Sequence, residues 1–400
     1  MLKSVEIAVV GAGPQALTLV THLLQKKKSM RGRFLVFDPA GKWMKNWHQQ
    51  FAALKIPHLR SPAVHHPDPH SHALRTFAES RQNELYPPYD LPGTTLFQAF
   101  CNQVINCWNL ERTVYPATVE TILPIHQKQK SNFQLHLSTG ESVIAKRVVL
   151  ALGIGSPNIP QWVQKISSPY PAHSLCHSSE VDLRKLNLVG ETLLIVGGGL
   201  TSGHLAVGAT QLGATVILMA RGEFQEKIFD VDPGWLGPKY LKGFWAESDW
   251  QKRDRAIREA RNGGSMTPEM MRKLRQLHNQ GKVILYPECE VQQASWQEEN
   301  WQVLCQDKNH FKVDRIWLAT GNQTNIEQYS LLSEIRTTYP ISTINGLPIL
   351  DQHLRWQGCE LFVMGASAGL RLGPIAQNLA GARMASHYIV PALTKNSLAS

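Results

Sequence analysis

Cysteine is scarce and scattered in this sequence. The six cysteines of the 400-residue chain stand at 101, 107, 176, 289, 305 and 359, with no CxxC and no other close pair. That spacing excludes a disulfide scaffold and supports neither a zinc ribbon nor a dithiol redox centre. The residues read as small buried hydrophobes in a reducing compartment, the cytoplasm. No long unbroken apolar run is present either. The stretch IAVVGAGPQALTLVTHLL is interrupted by Gly-Ala-Gly-Pro, and no basic n-region with a cleavage site precedes it. Neither a signal peptide nor a membrane span is expected. With 29 Gly and 23 Pro, both near average usage, collagen-like and low-complexity classes are excluded. No basic stripe interleaved with aromatics and no nucleic-acid module is found, so the +10 formal charge is not read as a nucleic-acid surface. Length alone suggests two to three domains at roughly 150 residues each.

Against these absences stands one pattern that occurs twice. VEIAVVGAGPQALTLVTHLL is followed by RFLVFD, and TLLIVGGGLTSGHLAVGATQLG is followed by ATVILMAR. Each reads as an apolar strand, a glycine-rich turn, an amphipathic helix and a second apolar strand, the signature of a parallel sheet covered on both faces. One GxGxxG string is weak evidence, but two copies in the same strand–helix context are strong. Gly11 and Gly13, like Gly197 and Gly199, permit a tight turn and let backbone N–H groups approach a pyrophosphate. Ala16 and Ser202 at the third position let the helix pack close to the strand. Asp38 ends the first unit, where a carboxylate accepts from ribose hydroxyls. Arg221 ends the second, where a cation suits a 2′-phosphate and favours NADPH over NADH, although an exposed Arg is also an ordinary surface residue.

Two further strands run into small-residue turns: RVVLALGIGSPNIP, from Arg147, and DRIWLATGN, from Asp314. They mark crossovers between domains. The expected fold is α/β, with two Rossmann-like dinucleotide-binding domains: residues 165–320 are inserted into a discontinuous domain formed by 1–164 and 321–400. Thr267-Pro268-Glu269 is a helix start and Gly281 its stop. In LFVMGASAGLRLGPIAQNLAGARMAS a strand ends at Met364, Gly365 allows close approach of a ligand, and Gly373-Pro374 opens a helix. The Lys26-Lys27-Lys28 run reads as a solvated helix end, and ESDWQKRDRAIREARNGG as an exposed mixed-charge helix.

With these motifs in place, the chain resembles the flavin-dependent N-hydroxylating monooxygenases, the lysine and ornithine N-hydroxylases, over nearly its whole length. GAGPQAL is similar to the family's FAD fingerprint, and Trp47-His48 with Phe51 resembles its flavin-side WHxxM segment. Asp68-Pro69 with Phe77 resembles its substrate-side loop. His177-Ser178-Ser179 resembles the HSS segment before the NADPH domain, and Asp314 to Gly321 resembles DxxxLATG. The chain departs from the pattern at Asn322, where the family has Tyr, and at Leu200-Thr201-Ser202, where it has Gln-Ser-Ala. The lysine that holds the amino-acid carboxylate has no counterpart; Arg60, after His58-Leu59, is the nearest cation.

The resemblance implies FAD held by Gly11, Gly13, Pro14, Gln15, Ala16, Asp38, Trp47, Gly365, Leu372 and Gly373. It implies NADPH held by Gly197, Gly199, Leu200, Thr201, Ser202, Arg221, Ala319, Thr320 and Gly321. Flavin-side candidates are Trp47, His48 and Arg60, with Trp43, Trp47 and Trp235 as candidates for an aromatic wall. The implied reaction is reduction of the flavin by NADPH, formation of a C4a-hydroperoxyflavin with molecular oxygen, and transfer of oxygen to a small amine or other nucleophile. An NADPH:acceptor reductase without oxygen transfer, or a non-catalytic flavin-binding redox sensor, has the same architecture. Self-association is implied as well. The five histidines of HLRSPAVHHPDPHSH fit no zinc spacing, and no metal site is expected.

Overall fold

The computed structural model describes residues 3–127, 130–153, 155–261 and 263–395. Strand Lys3–Val10 sits at the centre of the first sheet, where Ile7, Ala8, Val9 and Val10 are buried. It pairs in parallel with Phe34–Asp38 on one side and Ser142–Leu150 on the other. Val114–Pro116 extends the sheet beyond Phe34–Asp38. Strand Ser142–Leu150 has two partners on its far side. Its first half closes an antiparallel meander with Val119–Gln127 and Lys130–Leu137, while its second half pairs in parallel with Leu361–Val363.

A second parallel sheet runs in the order Leu175–His177, Arg315–Leu318, Thr192–Val196, Thr215–Met219, Val283–Tyr286. An antiparallel meander of Val291–Gln297, Asn300–Cys305 and His310–Val313 accompanies it. The apolar cores divide accordingly. One joins residues of 7–151 with residues of 326–393, and two others draw on 181–319 with Leu54 as an outlier. The two connections between the sheets pair with each other: Asn322 and Gln323 lie antiparallel to Pro157 and Ser156. Asn158 N donates to Gly321 O (2.9 Å), and Asn322 Nδ2 to Gly155 O (3.3 Å).

Several helices differ from their sequence reading. Helix Pro14–Lys26 buries every residue from Gln15 to Leu24, so it is covered all round instead of amphipathic. The cause is long-range: the C-terminal helix Leu379–Thr394 packs along its outer side. Helix Leu200–Gln211 is likewise buried through Leu205–Ala209. Gly373-Pro374 does not open a helix. The chain makes tight turns there, with Ala376 N donating to Gly373 O (3.2 Å) and Asn378 N to Ile375 O (2.8 Å), and the helix starts at Leu379. Gln15 Nε2 reaches the carbonyls of Ala376 and Asn378, which are thereby directed to the first glycine turn. Helix Trp250–Arg261, read as exposed, buries Arg253 and Asp254. Helix Pro268–Asn279 begins as expected, with the Thr267 hydroxyl accepting from Met270 N (3.2 Å) and Gly281 just beyond its end. No helix among the described residues is long and apolar enough to cross a membrane.

Candidate functional site

The first glycine turn leaves the C-terminal end of the central strand. Gly11 has φ +101°, and a Cβ there would stand 2.4 Å from Ala151 O, so only glycine lets the two strand ends come this close. Gly13 faces open space, since a Cβ at that position meets nothing within 4 Å. The turn is braced on both sides. Ala12 N donates to Asp38 Oδ2 (3.1 Å), and Met44 N donates to Ala12 O (2.8 Å). The second contact sets helix Lys45–Ala53, with Trp47 and His48, beside the turn. Gly365, after the strand Leu361–Val363, closes the same space. A Cβ on it would lie 3.6 Å from Gly153 O and 4.0 Å from the Gln15 side chain. Gly153 was not singled out from the sequence, although the small-residue turn after LAL was its signal.

Gln15 Oε1, and His48 Nε2 on the adjoining helix, are buried with no hydrogen-bond partner among the described residues. Burial, with Lys45 nearby, lowers the His48 pKa, which favours the neutral imidazole. Open space at Gly13, the N-terminus of helix Pro14–Lys26, the Asp38 carboxylate and these orphaned atoms fit a bound dinucleotide.

The second turn repeats the geometry. Gly197 has φ +149°, and a Cβ there would stand 2.3 Å from Ala319 O, where the DRIWLATG strand ends. Ser202 Oγ bonds Gly199 O (2.6 Å) inside the helix, keeping that position small and polar-satisfied. Arg221 is exposed just past Thr215–Met219, close to Gly263, with no salt bridge among the described residues. Thr320 Oγ1 donates to Asn158 O, and His177 Nε2 meets Gly321 O (3.1 Å). His177, Thr320 and Asn322 thus pin the crossover ribbon. Asp314 accepts from Thr192 N (2.7 Å) and Asn300 Nδ2 (2.6 Å), which fixes strand starts at the far end of the sheet.

Among the aromatic candidates, Trp43 is corrected: it is 7% exposed and its Nε1 donates to Leu110 O (2.9 Å), so it is a core residue. Trp47 stacks on Phe51 at 3.9 Å and leans on Phe97. Trp235 stands over Gly373, whose Cβ would meet the indole at 3.5 Å, and packs against Tyr240 and Phe244. It belongs to a segment that crosses from the second sheet to residues 345–374. Arg253 NH1 donates to Leu370 O (3.2 Å), Trp245 Nε1 to Arg371 O (3.0 Å) and Arg261 NH1 to Pro374 O (2.7 Å). The sequence offered no signal for this bridge.

Arg60 is also corrected. Its guanidinium donates to Ile228 O (2.9 Å), Lys227 O, Phe229 O (3.0 Å), Ser265 O (3.0 Å) and Ser265 Oγ (2.9 Å). Nε, Nη1 and Nη2 each donate in this clamp, which ties the guanidinium to the bridge. The His-rich loop does not converge on one point. His65 bonds Ser61 Oγ, His66 bonds Ser71 O, and His58 stacks on Tyr86 with Glu269 3.7 Å away. Asp68 accepts from Trp108 Nε1 and His70 N, Arg383 donates to the Asp68 and Pro69 carbonyls, and Phe77 packs on Phe100. A cavity of about 270 Å³ lies between residues 54–60 and the flanks of helices Leu200–Gln211 and Pro268–Asn279. His58, His204, Glu269 and Lys273 line it, with Leu200 from the end of the second glycine turn.

Comparison with known proteins agrees with this geometry. The profile of the family described as L-lysine 6-monooxygenase/L-ornithine 5-monooxygenase matches residues 3–324. No curated protein sequence matches the chain significantly. Among solved structures, the fold is similar to that of an ornithine N-hydroxylase from Kutzneria sp. 744 with reduced FAD, NADP+ and L-ornithine (16% identity, 98% of this chain and 99% of that one, TM-score 0.78). It is similar to the FAD-bound cadaverine monooxygenase of the desferrioxamine pathway from Erwinia amylovora (15% identity, 98% and 96%, TM-score 0.76). A third is the L-lysine 6-monooxygenase from Pseudomonas syringae (16% identity, 97% and 99%, TM-score 0.75).

Proposed function

The chain belongs to the L-lysine 6-monooxygenase/L-ornithine 5-monooxygenase family, and on that premise we propose that it N-hydroxylates a small aliphatic amine that carries no α-carboxylate. It is an FAD- and NADPH-dependent monooxygenase. When bound, FAD supplies the redox chemistry, taking a hydride from NADPH and activating molecular oxygen for transfer to a nucleophilic nitrogen.

The chain's own residues have the following parts in this reading. Residues 1–164 with 321–400 form the FAD domain and 165–320 the NADPH domain. The backbone N–H groups of Gly13, Gln15 and Ala16, at a helix N-terminus, hold the FAD pyrophosphate, and Asp38 accepts from its ribose. Gln15 turns its free Oε1 to the flavin side, which Trp47, Gly365, Leu372 and Gly373 enclose. His48, kept neutral by burial, offers Nε2 as an acceptor there. Gly197, Gly199, Leu200, Thr201 and Ser202 cradle the NADPH pyrophosphate, Arg221 meets its 2′-phosphate, and Ala319 to Gly321 form the floor. Trp235 excludes water above Gly373.

The observation that carries the substrate reading is the engagement of Arg60. The cation nearest the family's carboxylate-binding position is held by carbonyls and the Ser265 hydroxyl. A protein of the same fold is a cadaverine monooxygenase. The test is a panel of cadaverine, putrescine, lysine and ornithine, scored by NADPH oxidation and by hydroxylamine product. A diamine is expected to exceed the amino acids in kcat/KM by roughly tenfold or more. Equal hydroxylation of lysine or ornithine refutes the substrate reading. NADPH oxidation that yields only hydrogen peroxide, or a reduced acceptor, with every amine refutes oxygen transfer in favour of a reductase.

A further inference from the structure

Cys289 and Cys305, isolated in sequence, are neighbours in the second domain's meander. Cys305 ends strand Asn300–Cys305 opposite Val291, and Gln306 N donates to Glu290 O (3.0 Å) one step beyond. The turn that follows, closed by Lys308 N to Cys305 O (3.0 Å) and Cys305 N to Asn309 O (3.0 Å), folds Asp307 back over the pair. The two sulfurs and an Asp307 carboxylate oxygen all lie within 4.8 Å of one another. Both cysteines are buried, at 4% and 0% exposure, while Asp307 faces solvent. Tyr286 Oη and Asn309 Nδ2 donate to the Asp307 carboxylate and hold it in place.

We propose that Cys289, Cys305 and Asp307 form a binding site for a thiophilic divalent cation of the zinc type, with its remaining position open to solvent. Two sulfurs and one carboxylate oxygen are a donor set for zinc or cadmium, whereas magnesium and calcium take oxygen ligands. Metal–sulfur bonds of about 2.3 Å and metal–oxygen bonds of about 2.0–2.2 Å in a tetrahedron require ligand atoms roughly 3.4–3.8 Å apart. The hydrogen bonds on Asp307 orient it, as second-layer contacts do in metal sites. A disulfide would use the two sulfurs and leave the held carboxylate without a role.

Cys289 Sγ donates to Glu290 O (3.7 Å). Each thiol that binds the cation exchanges its S–H bond for a metal–sulfur bond and releases its proton to solvent. The site stands outside both glycine turns but is linked to one of them. Cys289 N donates to Ala220 O (3.0 Å) and Ala220 N to Tyr286 O (3.0 Å), next to Arg221. An occupied site braces the segment that presents Arg221.

The experiment uses the full-length, FAD-loaded protein, reduced with a phosphine and stripped by a chelator. It is titrated with Zn2+ against a chromophoric competitor at neutral pH. The expected result is one zinc equivalent per chain. Binding is expected to be lost in Cys305→Ser and weakened roughly tenfold or more in Asp307→Asn. Asp307 is exposed, so that variant serves if Cys305→Ser does not fold. Zinc uptake that is equal in wild type and variants, or absent from wild type, overturns the proposal. So does loss of both thiols to a disulfide in air at the same rate with and without zinc.

Discussion

Lowering the pH from 7 to 5 tests the packing around the first helix through two buried histidines. His22 lies on helix Pro14–Lys26, 8% exposed, with Nδ1 against Thr18 O (2.7 Å) and its ring edge-on to His387. His66, 1% exposed, meets Phe100 edge-on and bonds Ser71 O through Nε2, while Nδ1 has no partner. Burial is the main cause that pulls each pKa down from 6.5 to about 4, with Arg383 opposing the charged form as well. The folded pKa is below the unfolded one, so the unfolded chain binds more protons between these values. The stability each neutral ring contributes is therefore present above pH 6.5, falls as the pH drops toward 4, and changes no further below it.

The size follows from the two pKa values. Between pH 7 and pH 5 each histidine costs roughly 2 kcal/mol of stability. For a chain of this length, with unfolding entropy near 2.1 cal/mol/K per residue, that is a fall of about 2 °C in Tm per group. The assay is thermal unfolding at saturating FAD, at both pH values, for wild type, His66→Asn and the double variant with His22→Asn. Substitution lowers stability at pH 7, but the drop from pH 7 to pH 5 must shrink by about 2 °C for each histidine removed. An unchanged drop in the double variant would show that these rings are solvated or already charged, and the reasoning would fail.

Other substitutions separate the remaining contacts. Arg221→Ala is expected to raise the KM for NADPH by about 10- to 100-fold, the loss of one charge-assisted contact, with little change for NADH; parallel changes for both nucleotides would remove Arg221 from the 2′-phosphate. Gly11→Ala and Gly13→Ala form a contrast. The first drives a Cβ to 2.4 Å from Ala151 O and should cost folded yield, whereas the second meets nothing within 4 Å and should fold normally while losing FAD affinity. Circular dichroism and flavin titration read the two, and an insoluble Gly13→Ala protein would contradict the open cradle. Arg60→Lys can satisfy at most three of five acceptors, so Tm should fall by about 2–4 °C; an unchanged Tm would show that the clamp carries no net stability.

What was legible in the sequence is local and periodic. A strand buried on both faces must be apolar throughout, and a turn in which the chain brushes a neighbouring strand must be glycine. Both requirements leave marks within about a dozen residues, as around Gly11 and Gly197. The helix cap at Thr267 is legible for the same reason, since donor and acceptor are three residues apart. Strand ends followed the same rule: Asp38 stands where RFLVFD stops, and its carboxylate meets the Ala12 amide.

What was illegible depends on segments that meet from far apart. Helix Pro14–Lys26 is apolar on its outer side only because a helix more than 350 residues later covers it, and a window of thirteen residues cannot register that partner. Arg60 looks like any cation after a histidine, and its meaning comes from carbonyls at 227–229 and 265. Arg253 reads as one charge of a mixed helix, yet the carbonyls of Trp245, Glu247 and Leu370 and the face of Trp250 bury it. These misread cations share a physical cause. A guanidinium carries five donors in a rigid fork, which suits it to collect carbonyls where two chain segments meet without secondary structure between them. Here that junction is the bridge from the second sheet to Leu370–Pro374, the same segment that sets Trp235 over Gly373. The two glycine turns are therefore written in glycine and apolar period. The bridge that sets Trp235 over Gly373 is written in arginines whose partners only the folded chain supplies.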